Sequence, residues 1–518
     1  MGRRRLWLAA AVGLCAGAAI GACSSDEDMG EDGFGTGDTG SGAGSPNGAT
    51  GPSSSTGYPT SGAGGGGAEY GDPPLIPGPP DDAGPDAATA CADLDPSKPL
   101  VLYVSADDSN SMSSPALARE LLANGVPPSS IRTYEFLNYY RIAYPAPPTG
   151  QLALIPQLEP GAAPGSYDMQ LGVRSFDAVK PRRPMTITFV LDTSGSMEGP
   201  GIERERTTVK AIAKSLAPGD IVSMVTWNTS NAVILSGHAV TGPDDATLIA
   251  KADALAASGG TDLHAGLVAG YQLANEHYGT ARLNRVVLIS DGGANVGVTD
   301  EDLIALHSED ADAEGIYMVG VGTGPAGAYN DLLMDVVTDK GRGAYVYVDE
   351  PAEATRMFVD RFDEVMEVAA RGVQVELTLP WYFQMKEFYG EEYSTDPTEI
   401  EPQHLAPSDA MIFNQVLQAC DAGVVNDSDT VKVTARWHAP VTYLPKEVSV
   451  EMSLKQMLDG SKQQLKKGKA IVAYAEALKA GTSDALQGAL AVVKSTNSDG
   501  TEPELTEIEG LLQKHPAF

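Results

Sequence analysis

The sequence predicts an α/β fold: a doubly wound, mostly parallel sheet inserted between β-rich flanks that form a β-sandwich, with helices closing the C-terminus. Three observations carry the prediction. Across residues 181–368, short runs of Val, Ile, Leu and Met alternate with segments whose apolar residues recur every three or four positions, the pattern of strands buried on both faces beneath amphipathic helices. On either side of that region, strand-like stretches follow one another without helices between them, and the simplest pairing joins the two sets across the insertion. Beyond residue 457 only helical periodicity remains.

Taken in order, the flank 98–180 holds a strand at 100–104, helices at 114–123 and 131–144, and strands at 151–155 and 168–173. In the central region 181–368, strands are expected at 185–191, 221–227, 231–235, 285–289, 316–321 and 344–348. Helices fall between them at 202–216, 245–256, 264–277, 299–313, 330–338 and 352–368. The second flank, 369–456, carries strands at 373–379, 432–437 and 447–454, and the tail, 457–518, carries helices at 463–479, 483–494 and 504–514.

A chain of 518 residues exceeds what one core organises, and two or three folded units are expected once the non-globular start is set aside. That start reads as an export signal over residues 1–22. Arg3, Arg4 and Arg5 precede an apolar run from Leu6 to Ile20 that is too short to span a bilayer. Ile20-Gly21-Ala22-Cys23 looks like a lipobox, which implies fatty-acyl chains such as palmitate on Cys23. Ser24, not an aspartate, follows, and by resemblance to sorting in enteric bacteria this implies an outer-membrane lipoprotein of the cell envelope, facing either the periplasm or the surface. Residues 23–97 then form a tether rich in Gly, Ser, Thr and Pro, which buries too little to order itself and as a coil spans on the order of 45 Å.

Acidic residues outnumber basic ones 69 to 35, for a formal charge of −34. A nucleic acid would be repelled, and an anionic membrane would hold this chain only through its N-terminal lipid anchor. Of four cysteines, Cys15 and Cys23 belong to the export segment. Cys91 and Cys420 remain, either as a disulfide favoured by an oxidising compartment or as two separate buried thiols.

Three segments carry the chemistry. Asp192-Thr193-Ser194-Gly195-Ser196 follows the first central strand, Gly259-Gly260-Thr261-Asp262 opens a helix, and Ser290-Asp291-Gly292-Gly293 ends another buried strand. Ligands of open α/β sheets bind at the carboxyl ends of the strands, where these segments lie. Asp192, Ser194, Ser196, Thr261 and Asp291 offer oxygen alone, a donor set suited to Mg²⁺, Mn²⁺ or Ca²⁺ and poor for zinc. His264 is the nearest candidate base but reads as a first-turn surface residue, and Glu198 and Asp262 as solvated loop carboxylates.

These segments resemble the metal-ion-dependent adhesion site of von Willebrand factor type A domains, a Rossmann-like fold, with the D-x-S-x-S motif, the threonine and the later aspartate all present. The resemblance implies that Ser194 and Ser196 ligate an ion directly, Thr261 directly or through water, and Asp192 and Asp291 largely through bound water. Segments 114–144 and 405–419 are also similar to flanks in bacterial lipoproteins of this type. Two carboxylates leave a divalent ion unsaturated, so a protein partner's Asp or Glu carboxylate can complete the shell. The expectation is a binding module and not an enzyme. Metal-activated hydrolysis, or a structural envelope protein stiffened by its ion, are the alternatives; no G-x-S-x-G elbow, Walker loop or His-rich metal motif supports the first.

Overall fold

From the N-terminus the chain runs through strand β1 (Leu100–Ser105), helices α1 (Ser113–Ala123) and α2 (Thr133–Tyr139), and the hairpin β2 (Leu152–Pro160) and β3 (Ser166–Ser175). Strands and helices then alternate: β4 (Met185–Asp192), α3 (Pro200–Ser215), β5 (Ile221–Trp227), β6 (Asn231–Ala239), α4 (Ala246–Asp253), α5 (Leu263–Glu276), β7 (Leu283–Ser290), β8 (Ile316–Gly322), α6 (Asp331–Lys340), β9 (Tyr345–Tyr347), α7 (Pro351–Thr355) and α8 (Phe362–Met366). Strands β10 (Ala370–Leu379), β11 (Phe383–Phe388), β12 (Glu392–Ser394), β13 (Gln403–Leu405), β14 (Ala410–Ala419), β15 (Thr430–His438) and β16 (Pro445–Ser453) follow. Helices α9 (Leu454–Asp459), α10 (Gln463–Ala480), α11 (Ser483–Thr496) and α12 (Pro503–Gln513) complete the order. The structure, a computed structural model, describes residues 91–107, 110–293 and 315–518. The signal segment, Cys23, the tether as far as residue 90 and the helix expected at 299–313 lie outside the described residues.

The central sheet has the order β6-β5-β4-β7-β8-β9. All its pairings are parallel except that of the edge strand β6, which runs antiparallel to β5. Every residue of β4, β7 and β8 is buried, as continuous apolar strands sandwiched between helices must be, whereas β6 is largely exposed. The far edge is covered by the first flank: Ser111 bridges to Tyr345 and the Met112 amide donates to the Tyr345 carbonyl at 2.7 Å.

The two flanks make a β-sandwich. One sheet is β12-β1-β10-β15-β16, with β13 also paired to β10, and the other is β11-β14-β3-β2. Their inner faces share a core of Leu158, Leu171, Val173, Phe413 and Leu417 with Val375, Leu377, Val431 and Val433. Strands β1 to β3 precede the α/β unit and β10 to β16 follow it, so the unit is inserted between β3 and β10.

Beyond the strands β11, β12 and β13 and the short helix α9, which the sequence reading did not include, three elements differ from it. The helix expected over 131–144 stops at Tyr139, because the chain extends to bury Ile142 and Tyr144 and because residues before Pro145 disfavour the α conformation. The helix expected over 352–368 is split by a π turn at Arg356–Asp360, where the neighbours Met357 and Phe358 are both buried and the Phe358 carbonyl accepts from Ser215 Oγ at 2.7 Å. Strand β14, central in its sheet, was not expected as a strand. Its Asn414 and Gln415 interrupt the apolar pattern, and Asn414 Nδ2 is satisfied internally by Gln170 Oε1 at 2.8 Å.

The flank helices and the tail are tied to the α/β unit by charge. Arg119 on α1 reaches Asp349 at 2.6 Å, Glu353 at 2.7 Å and Glu507 of α12 at 3.1 Å. Below the sheet, His404 of β13 accepts the Gly372 amide on Nδ1 and meets Tyr317 edge-on at 5.0 Å. Burial, then the charges of Arg371, Arg342 and Arg285, push its pKa down to about 3. An unfolded histidine protonates near 6.5, so the unfolded state takes up a proton that the folded state refuses, and stability is lost as pH falls from about 6.5 toward 3. This one group contributes at most about 1.4 kcal/mol per pH unit there. Chemical denaturation of wild type and His404→Gln at pH 7 and 4.5 should show a shallower acid decline in the variant; parallel declines would contradict this.

Candidate metal-ion site

The rim at the carboxyl end of the central sheet is built by three turns laced to one another. Where β4 runs out, Asp192 is fully buried; its Oδ1 accepts the Ser194 amide at 2.9 Å and its Oδ2 accepts Ser290 Oγ at 2.7 Å. A 3₁₀ turn, Gly195–Met197, then leads toward α3 and holds Ser196 in solvent, with Ser194 Oγ and Ser196 Oγ 3.0 Å apart. The glycine loop is fastened to this turn by Gly195 N to Gly259 O at 3.1 Å and Ser258 N to Thr193 O at 2.7 Å. Thr229 Oγ1 holds the Gly260 amide at 2.7 Å, and Thr261 follows half-exposed on the rim. From β7, Asp291 accepts the Gly293 amide on Oδ1 at 2.8 Å. A Cβ added to Gly293 would lie 2.7 Å from Asp291 Oδ1 and 3.3 Å from Ser196 Oγ, so those two side chains converge over a residue with no side chain of its own.

The structure thus brings Asp192, Ser194, Ser196 and Asp291 together, with the Thr261 loop bonded alongside. Burial, reinforced by the charge of Asp291 and opposed by the Ser194 and Ser290 hydrogen bonds, pushes the Asp192 pKa up to about 6. A carboxylate so desolvated, beside a second carboxylate and outward-facing hydroxyls, lacks only a counter-charge, and a divalent cation fits that donor set. Among the described residues no cluster of three or more His, Cys, Asp or Glu side chains could hold a metal, so this hydroxyl-based set is the one to consider.

Of the neighbours considered, Asp262 caps α5, accepting the Ala265 amide at 3.0 Å, while Glu198 is exposed and His264 sits half-buried in the first turn of α5. Two residues escaped the sequence reading. Ser290, signalled only by being a hydroxyl before a strand-end aspartate, gives its proton to Asp192 and accepts the Gly292 amide at 3.0 Å, joining two of the motifs. Glu205 on α3 is fully buried with no hydrogen-bond partner for either carboxyl oxygen among the described residues. Burial, then the charge of Asp192, holds it far above the usual carboxylate range.

The spelling D-x-S-x-S also occurs at Asp107 to Ser111, after β1, where residues 108 and 109 lie outside the described residues. Asp107 Oδ2 accepts the Ser111 amide at 2.8 Å and Asn138 Nδ2 at 2.7 Å.

Residues 186–361 match the family model for the von Willebrand factor type A domain, and the inserted α/β unit is a domain of that type. Type A domains are chiefly protein-interaction and adhesion modules. The uncharacterized protein YfbK of Escherichia coli (strain K12) is 27% identical over 293 residues, covering 52% of this chain and 49% of YfbK. Inter-alpha-trypsin inhibitor heavy chain H1 of Sus scrofa is 25% identical over 202 residues, covering 37% of this chain and 22% of the heavy chain. The chain therefore spans about half the length of the first and about a fifth of the second. Among solved structures, a von Willebrand factor type A protein from Catenulispora acidiphila is similar at 12% identity and a TM-score of 0.44, over 68% of this chain and 88% of that one.

Proposed function

We propose that this chain is an envelope-anchored, divalent-metal-dependent protein-binding module, in which an Asp or Glu carboxylate of the partner completes the shell of an ion held at the rim. The observation that supports this most is the convergence of Ser196 and Asp291 over Gly293, next to Ser194 and the buried Asp192. In this reading Ser194 and Ser196 would hold Mg²⁺ or Mn²⁺ directly, Thr261 directly or through water, and Asp192 and Asp291 through water and hydrogen bonds. The bound ion supplies positive charge at a face whose chain is otherwise strongly acidic, and so gives an acidic partner group a reason to approach.

The chain's own residues set the stage: Ser290 and the Ser194 amide fix the Asp192 carboxylate, and Gly293 leaves the approach open. The anchor belongs to the same proposal, with acyl chains on Cys23 in the outer membrane and the 23–97 tether between membrane and fold. Among the described residues no helix is long and apolar enough to cross a membrane.

The decisive experiment is crosslinking in intact cells and recovery of the full chain with Mg²⁺ or with chelator. A partner lost both on chelation and in Asp192→Ala is the expected result; recovery indifferent to both would refute metal-dependent binding. Growth with labelled palmitate should label the wild type and leave Cys23→Ser unlabelled.

A further inference from the structure

The turn that backs Asp291 is held from outside the type A domain. After β8, Thr323 N donates to the Ser290 carbonyl at 3.0 Å, and Gly324 packs so closely on Asp291 that a Cβ there would lie 2.6 Å from the Asp291 Cβ. The carbonyls of this turn face Arg204 of α3, whose Nη1 lies 2.9 Å from Gly324 O and 3.4 Å from Thr323 O. The Tyr347 hydroxyl lies 2.5 Å from Gly324 O and accepts from Arg204 Nη1 at 3.2 Å. Both of these groups are oriented by one carboxylate on the first flank. Glu120 of α1 accepts Arg204 Nη2 on Oε1 at 2.9 Å and is within reach of the Tyr347 hydroxyl through Oε2 at 2.5 Å.

The hydroxyl has one proton for two acceptors, Glu120 and the Gly324 carbonyl, while Arg204 donates to both, through Nη2 and Nη1 respectively. Glu120 and Arg204 are each only 14% exposed, so the pair is poorly screened and its geometry is shared tightly with Tyr347.

We propose that Glu120 is a positioning residue of the metal site, acting through Arg204 and Tyr347 on the Thr323–Gly324 turn that presses on Asp291. This rests on the metal-binding reading above and extends it to a part of the chain outside residues 186–361. It makes the closure of the Glu120–Arg204–Tyr347 contact, as distinct from the docking of α1 as a whole, and the affinity for the ion two readings of one equilibrium, because coupling between sites is reciprocal.

Mn²⁺ titrations of the full chain, followed calorimetrically and paired with melting curves in chelator, test it. Glu120→Ala should weaken Mn²⁺ binding about tenfold, the lower end of what loss of an outer partner costs a metal site. Glu120→Gln, which keeps one acceptor oxygen, should fall between, and Tyr347→Phe should lose several-fold even if Glu120→Ala folds poorly. The control is Arg119→Ala, which loosens the same helix from Asp349 and Glu353 without touching the 323–324 turn; it should lower the melting temperature and leave Mn²⁺ affinity where it was. Wild-type affinity in Glu120→Ala and Tyr347→Phe, or an equal loss in Arg119→Ala, would overturn the proposal while sparing the metal site. A wild type that fails to bind Mn²⁺ would instead remove the metal site, and the proposal with it.

Discussion

Asp192→Ala is expected to abolish metal binding while leaving the metal-free protein about as stable as the wild type. Asp192 is the buried hub of the rim, fixing the Ser194 amide on one oxygen and the Ser290 hydroxyl on the other. Removing it frees the turn that presents Ser194 and Ser196 and breaks the link to the strand that ends in Asp291. In the absence of an ion the carboxylate is itself a burden, since burial pushes its pKa up to about 6 and the charged form is costly at neutral pH. Its loss therefore offsets the roughly 1–3 kcal/mol forfeited by the donors it leaves behind. A ligand present at a hundred times its dissociation constant stabilises a fold by about 2.7 kcal/mol. Thermal melts with and without Mg²⁺ or Mn²⁺ should show that gain in the wild type and none in the variant. A variant that keeps the metal-dependent shift would show that the ion binds elsewhere.

The second large effect concerns the covalent link. Cys91 and Cys420 form a disulfide across 329 residues of sequence, and the Cys420 amide is bonded to Tyr382 O at 2.9 Å. In the chain-entropy account a closed loop of about 100 residues is worth roughly 4.7 kcal/mol, growing only logarithmically with length, and native disulfides typically return about 2–5 kcal/mol. Replacing both cysteines by serine should lower the denaturant midpoint by an amount corresponding to about 3–5 kcal/mol. The wild type in reductant should follow the variant. Coincident curves for oxidised wild type and the double variant would show that the bond only decorates a start already fixed by the pairing of β1 with β10 and β12.

The parts of this molecule that were legible in its sequence are those where one physical demand dominates. Strands buried on both faces, such as β4 and β7, are apolar throughout, and the aspartates that end β4 and follow β7 stand out against that background. Strand β14 was not legible, because Asn414 is buried on the strength of a partner, Gln170, that lies 244 residues away. The same is true of Glu120 and Ser290, whose importance lies wholly in what the fold places beside them. Asp107 to Ser111 shares its spelling with the rim motif while its aspartate accepts the Asn138 side-chain amide, so the letters alone do not define a site. Spacing announces a site only when the strand ends around it bring the other donors.

The way the α/β unit is inserted determines how tension would travel through it. Its chain leaves toward β3 on one side and toward β10 on the other, and those strands lie in opposite layers of the sandwich. Were the rim pulled by a partner against the membrane anchor proposed above, the load would enter both layers at once through two backbone strands. Neither layer can be peeled from its edge by that force, because both points of attachment are interior strands, each flanked by neighbours on either side.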